Sequence, residues 1–221
     1  MIMFPLQDIF IKICGITNLD DAELACAFGA NAIGFIFNKS NERYIHPERA
    51  ASIISDLPEH ISKIGVFENA SSRYIQSILR QVPLSAVQLL GNNGPDDLVD
   101  FDVSVIKQFQ LKQSFDVEVM RNYLVDGFLL KDQNEEGGKH LPKKHHWNIA
   151  LKAKDYGRII ISGGLNPHNI EDAIRFVNPY GVDVCSGVEL SPGKLDKSLL
   201  RIFISKARDI SLYYAEDKAY E

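Results

Sequence analysis

Eight short apolar runs, each followed by a helical or mixed stretch, constrain the fold more than any other feature of this chain. The runs span Ile9–Cys14, Ala32–Phe37, Ser62–Phe67, Ala86–Leu90, Val103–Lys107, Gly127–Lys131, Arg158–Ser162 and Gly181–Cys185. Helical patterns follow at Asp20–Phe28, Pro47–Ser55, Ser71–Gln81, Asp96–Asp100, Phe115–Tyr123, Trp147–Lys154, Pro167–Phe176 and Lys197–Asp209. A strand that is followed by a helix and then another strand pairs in parallel, because the crossover returns the chain to the same edge. Eight such units in 221 residues suit a closed (β/α)8 TIM barrel better than an open doubly wound sheet. No Gly-x-Gly-x-x-Gly follows the first strand, as a dinucleotide-binding sheet would require. No Pro/Gly/Ser linker interrupts the rhythm, so residues 1–221 read as one domain, with a frayed polar tail expected at 212–221.

Charge and cysteine usage narrow the function. A net charge of −5 argues against a nucleic-acid partner. No apolar run approaches the roughly 20 residues of a membrane span, and the N-terminus lacks a secretory pattern. The three cysteines, Cys14, Cys26 and Cys185, are odd in number and widely spaced, which fits neither a disulfide framework nor a zinc site. A reducing, cytoplasmic setting is expected, with no metal and no cofactor.

Chemistry enters at Lys12-Ile-Cys-Gly-Ile-Thr17. Cys14 ends the first strand, Gly15 permits a tight exit, and Thr17-Asn18 offers a helix cap. Most cysteines in such places are small core hydrophobes. At the carboxyl end of a barrel strand, however, Cys14 stands where active sites are built. The seventh strand ends in Ser162-Gly163-Gly164-Leu165-Asn166-Pro167 and the eighth in Cys185-Ser186-Gly187-Val188-Glu189. Glycines there let backbone N–H groups approach an anion, and barrels recurrently hold phosphate after these two strands. Asn166 and Pro167 are expected to cap and open the next helix. A small phosphorylated substrate is the inference. The long connection Asp132–His146 carries Lys139, His140, Lys143, Lys144, His145 and His146, and reads as a basic loop on the catalytic face or as a plain solvated one.

These motifs, in this order and over nearly the whole chain, resemble the phosphoribosylanthranilate isomerase family of tryptophan biosynthesis. Gly29-Ala30-Asn31-Ala32-Ile33-Gly34-Phe35, Arg43-Tyr44-Ile45, Gly65-Val66-Phe67 and Asp183-Val184 add to the likeness. The resemblance implies a cofactor-free Amadori rearrangement of N-(5′-phosphoribosyl)anthranilate to the 1-deoxyribulose product. It implies that Cys14 is the base, made thiolate by an electropositive pocket, and that Arg43 holds the anthranilate carboxylate. Asp183 would be a polar anchor, and Gly163, Gly164, Ser186 and Gly187 would bind the phosphate. Monomer and homodimer are both open.

Four positions depart from the family pattern. Its Leu-Leu-Asp, whose aspartate is the general acid, reads Leu129-Leu130-Lys131-Asp132 here. Alternation along a strand turns Asp132 away from Lys131, unless a bulge brings the carboxylate back to the mouth. Lys131 is the other candidate acid, and a third possibility is that the position only attracts an anion. Gln-Leu-His-Gly becomes Gln88-Leu89-Leu90-Gly91, Gly-Gly-Thr-Gly becomes Gly137-Gly138-Lys139-His140, and Phe-Asp-Trp becomes His145-His146-Trp147. The resemblance leaves as alternatives a paralogue that binds a sugar phosphate without this activity and an isomerase for a related aminoaldose phosphate. Cys14, where the latter relatives resemble a two-aspartate scheme, argues against it.

Overall fold

The computed structural model describes residues 9–98, 101–112, 114–132 and 144–217, with the backbone alone given for 144–145 and 211–217. Eight parallel strands close into a barrel in sequence order: β1 (Phe10–Cys14), β2 (Ala32–Ile36), β3 (Ser62–Glu68), β4 (Ala86–Leu90), β5 (Ser104–Leu111), β6 (Gly127–Asp132), β7 (Ile159–Ser162) and β8 (Gly181–Val184). The seam forms where β1 pairs with β8, Lys12 opposite Asp183. A short hairpin of β9 (Glu189–Ser191) and β10 (Lys194–Leu195) follows the eighth strand.

The outer layer holds α1 (Leu19–Phe28), α2 (Pro47–Ser55), α3 (Ser72–Leu79), α4 (Lys144–Ala153), α5 (Ile170–Val177) and α6 (Lys197–Asp217). The expected helices after β4 and β5 are 3-10 turns, Pro95–Leu98 and Val117–Asn122. The expected tail from residue 212 overlaps the end of α6, which runs to Asp217. Asn18 caps α1 as its sequence predicts, its Oδ1 accepting from the Asp21 amide at 2.9 Å. The start of α5 differs from expectation. Asn166 and Asn169 both donate from Nδ2 to the Gly164 carbonyl (3.1 and 2.8 Å), Asn169 Oδ1 accepts from the Asn166 backbone amide (2.9 Å), and Asn166 Oδ1 accepts from the His168 amide (2.8 Å), which caps a turn rather than the helix. The helix therefore opens at Ile170 rather than Pro167.

Strand alternation divides the buried side chains into two populations. One face packs on the helices and supplies most of the core, including Phe35, Phe67, Leu89, Phe128 and Val182. The other points into the barrel, where Ala32, Ile64, Ala86, Ile106, Leu129 and Ile160 form an apolar floor. Above the floor come buried polar groups, Lys12, Gln88, Gln108 and Asp183, and above those Cys14, Ile36 and Val66 at the mouth.

Leu129 is fully buried in the floor. Leu129→Ala is expected to cost about 2–5 kcal/mol in urea unfolding.

Candidate active site

The mouth above the barrel encloses about 240 Å³ and is lined by residues from all eight strands and the turns that follow β2 and β8. From β1, Lys12 and Cys14 share the inward face. Lys12 is fully buried, and its Nζ donates to Asp183 Oδ1 at 2.6 Å. Ser162 on β7 donates to the other carboxylate oxygen at 2.8 Å. The Lys12 ammonium also lies beside the Cys14 sulfur and interacts with it electrostatically. Gly34 on β2 makes that contact possible, since a Cβ there would fall 2.8 Å from Sγ and 3.1 Å from Nζ.

These contacts set the charge states. Burial pushes the Lys12 ammonium toward neutrality, but Asp183 and Cys14 together outweigh it and hold the pKa well above the ordinary lysine value. Cys14 moves the opposite way from the sequence expectation. Burial lifts its pKa and Asp183 adds to the rise, and the cations Lys12 and Lys131 offset only part of it. The resting residue is a thiol, with its counter-ion already in place.

Lys131 and Asp132 separate by face. The β5–β6 register runs unbroken from Ile106 opposite Gly127 to Leu111 opposite Asp132, so no bulge intervenes. Lys131 lines the mouth and feels the Cys14 sulfur. Asp132 is buried toward the helix layer, its Oδ2 2.7 Å from His146 Nδ1 on α4. The structure does not bring Asp132 to the cavity. Residues 133–143, including Lys139, His140 and Lys143, lie outside the described residues, as do the side chains of Lys144 and His145.

Arg43, on the loop after β2, also lines the mouth. Its aliphatic stem lies over Gly15, where a Cβ would come within 2.7 Å of Arg43 Cδ; Gly15 holds φ +82°. Glu189 grips the guanidinium with contacts of 2.6–3.0 Å. Cys185 sits beside Cys14 at the end of β8, its thiol pushed well above the usual range by burial, with Cys14 and Glu189 adding to it. Neither Lys12, Glu189 nor Cys185 stands out in sequence as a functional residue. The one available signal was the i, i+2 spacing of Lys12 and Cys14, which places both on one strand face.

The two glycine turns meet. Gly163 and Gly164 take φ of +90° and +65°, and a Cβ on Gly163 would sit 2.6 Å from the Asp132 amide nitrogen. A Cβ on Gly187 would run into the Leu165 carbonyl. Close packing already demands glycine at both places, and Ser186 faces the cavity beside them. Among the described residues no group of three His, Cys, Asp or Glu side chains could hold a metal ion, and no helix is long and apolar enough to cross a membrane.

The family description N-(5′-phosphoribosyl)anthranilate (PRA) isomerase matches residues 11–206. The chain belongs to this family. It is 42% identical over 199 residues to the N-(5′-phosphoribosyl)anthranilate isomerase of Pelobacter propionicus, covering 90% of this chain and 95% of that one. The crystal structure of the Thermus thermophilus phosphoribosyl anthranilate isomerase superposes with a TM-score of 0.83 at 31% identity, over 91% of this chain and all of that one. A phosphoribosyl anthranilate isomerase in complex with reduced 1-(o-carboxyphenylamino)-1-deoxyribulose 5-phosphate superposes with a TM-score of 0.78 at 34% identity, over 91% and 99% of the two chains.

Against the isomerase pattern, two of the departures prove to be partners. His146, where the pattern has a carboxylate, pairs with Asp132, the carboxylate one place beyond the usual acid. A third, Leu90, lines the mouth where the pattern has an imidazole.

Site-resolved alkylation by iodoacetamide should give Cys14 an apparent pKa above the roughly 8.5 of a free thiol. A plateau already reached at pH 7 would contradict the account of its charge. Lys12→Met, which strands Asp183 without its cation, is expected to lose about 3–5 kcal/mol of stability in denaturant melts.

Proposed function

We infer that this chain catalyses the Amadori rearrangement of N-(5′-phosphoribosyl)anthranilate to 1-(2-carboxyphenylamino)-1-deoxyribulose 5-phosphate. The observation that carries the reading is Cys14 at the mouth, beside a buried ammonium and facing Lys131, in a member of the isomerase family. The names of its relatives favour catalysis over the non-catalytic sugar-phosphate reading.

The substrate phosphate sits at the turns of Gly163, Gly164, Ser186 and Gly187, where backbone N–H groups and the start of a helical turn favour an anion. That anchors the sugar between Lys131 on β6 and Cys14 on β1, one on each side of the phosphate. Arg43 takes the anthranilate carboxylate. Protonation of the furanose oxygen breaks its bond to C1′ and leaves an open-chain Schiff base. Lys131 is the donor on this reading. An ammonium is intrinsically a weaker acid than a carboxylic acid, so this step is slower than with the usual aspartate.

Cys14 first releases its proton to solvent through the open mouth, Lys12 stabilises the thiolate, and the thiolate then takes the C2′ proton and returns to the thiol. Asp183 keeps Lys12 charged and pointed at the sulfur, and Ser162 holds Asp183 in turn. The resulting enolamine tautomerises to the ketone without redox chemistry, so the scheme requires no cofactor. Every lining residue named comes from one chain, which suits a monomer or a homodimer alike. Three free thiols, one of them the base, suit a reducing compartment such as the cytoplasm.

The test is a fluorescence assay following loss of phosphoribosylanthranilate generated in situ. Cys14→Ser should abolish turnover, and Lys131→Met should lower kcat by about 100-fold or more, in the range of a lost general acid. Asp132→Asn should keep turnover within a few fold while losing thermal stability through the His146 pair. Loss of turnover in Asp132→Asn, with Lys131→Met unaffected, would overturn the assignment of the acid.

A further inference from the structure

We propose that Glu189 is the positioning residue that aims Arg43 at the substrate carboxylate, and so sets the preference for a carboxylated aglycone. This deepens the proposed function and rests on its placement of the carboxylate at Arg43.

The guanidinium has two forked edges, each with parallel N–H donors matched to a carboxylate. Glu189 occupies the Nε/Nη2 edge: Nε donates to Oε1 at 2.8 Å and to Oε2 at 3.0 Å, and Nη2 donates to Oε2 at 2.6 Å. A ligand carboxylate would address the Nη1/Nη2 edge. With one edge fixed, the plane of the other is fixed too, because the group is rigid. A free arginine would have to give up rotamer freedom on binding; this one has given it up in advance.

Glu189 is itself held. Its side chain is 4% exposed, against 18% for Arg43. Its Oε1 also accepts from the Gly193 amide at 3.0 Å. The Gly193 carbonyl in turn accepts from Thr17 Oγ1 at 2.7 Å, on the loop that follows Cys14. Gly193 takes φ +75°, and a Cβ there would press on Thr17 at 3.0 Å, so the β9–β10 hairpin is seated on the β1–α1 loop. The chain of contacts from Thr17 through Gly193 and Glu189 to Arg43 references the carboxylate-binding group to the strand that carries the base. The aliphatic stem over Gly15 fixes the other end of the same side chain.

An arginine held in this way contributes direction as well as charge. Glu189 offsets part of the guanidinium's long-range attraction, so selectivity comes from the geometry of the remaining fork rather than from field strength.

The experiment compares two ligands on the full chain by calorimetry: reduced 1-(o-carboxyphenylamino)-1-deoxyribulose 5-phosphate and the same compound with phenylamino in place of carboxyphenylamino. Wild type should bind the carboxylated ligand about 10- to 100-fold more tightly, as a charge-assisted fork allows. In Glu189→Gln that preference should shrink to a few fold while the carboxylate-free ligand binds as in wild type, which also shows that the variant is folded. Arg43→Gln should lose the same preference, and adding Glu189→Gln to it should remove nothing more. An equal loss for both ligands in Glu189→Gln would mean a purely structural role and overturn the proposal. Tighter binding of the carboxylated ligand would make Glu189 a competitor and overturn it as well. A wild type with no preference would instead sink the placement of the carboxylate at Arg43, and the proposal with it.

Discussion

The buried ion pair between Lys12 and Asp183 is the contact on which the rest of the molecule depends. It joins the first strand to the last, at the seam where a sheet becomes a barrel. Two charges taken out of water cost several kcal/mol each unless each finds partners. Here the ammonium has the carboxylate and the Cys14 sulfur, and the carboxylate has the ammonium and the Ser162 hydroxyl. Closing the barrel and seating an ammonium beside the Cys14 thiol are therefore one event. A chain that left the seam open would bury an unpaired lysine, and a chain that closed it without Gly34 would have no room for the sulfur beside the ammonium.

Much of the fold was legible because barrel strands buried on both faces read as apolar runs. The runs locate most strand ends within a residue or two. The exception is instructive. The apolar run of β5 ends at Lys107, yet the strand continues to Leu111. Gln108 and Gln110 face the mouth, so the strand becomes polar on one side where the site begins. Hydrophobicity loses the strand at the place where function takes over. The later start of α5 has a related origin: Asn169 holds the Gly164 turn instead of capping the helix, and Asn166 caps only the turn that precedes it.

Cys14 and Arg43, which the sequence singles out, both line the mouth, whereas the residues that support them were not legible. Cys14, Arg43 and the glycine turns carry local signatures that a sequence displays. Glu189 lies 146 positions from Arg43, and nothing local pairs them. Asp183 lies 171 positions from Lys12. The charge on Cys14 was equally hidden: a cysteine among lysines suggests a thiolate, but burial decides otherwise, and burial belongs to the closed barrel. Strand alternation did assign Lys131 and Asp132 correctly to opposite faces, and the possible bulge is absent.

That alternation makes the chemistry of β6 a question of parity. Between Gly127 and Asp132 the backbone register is unbroken, so every side chain's environment follows from counting residues. Gain or loss of one residue before Lys131 would carry the carboxylate into the mouth and set the lysine against His146 in the helix layer. The two residues would trade a solvated role for a buried one without either being substituted. For this strand, length decides which side chain faces the mouth as much as composition does.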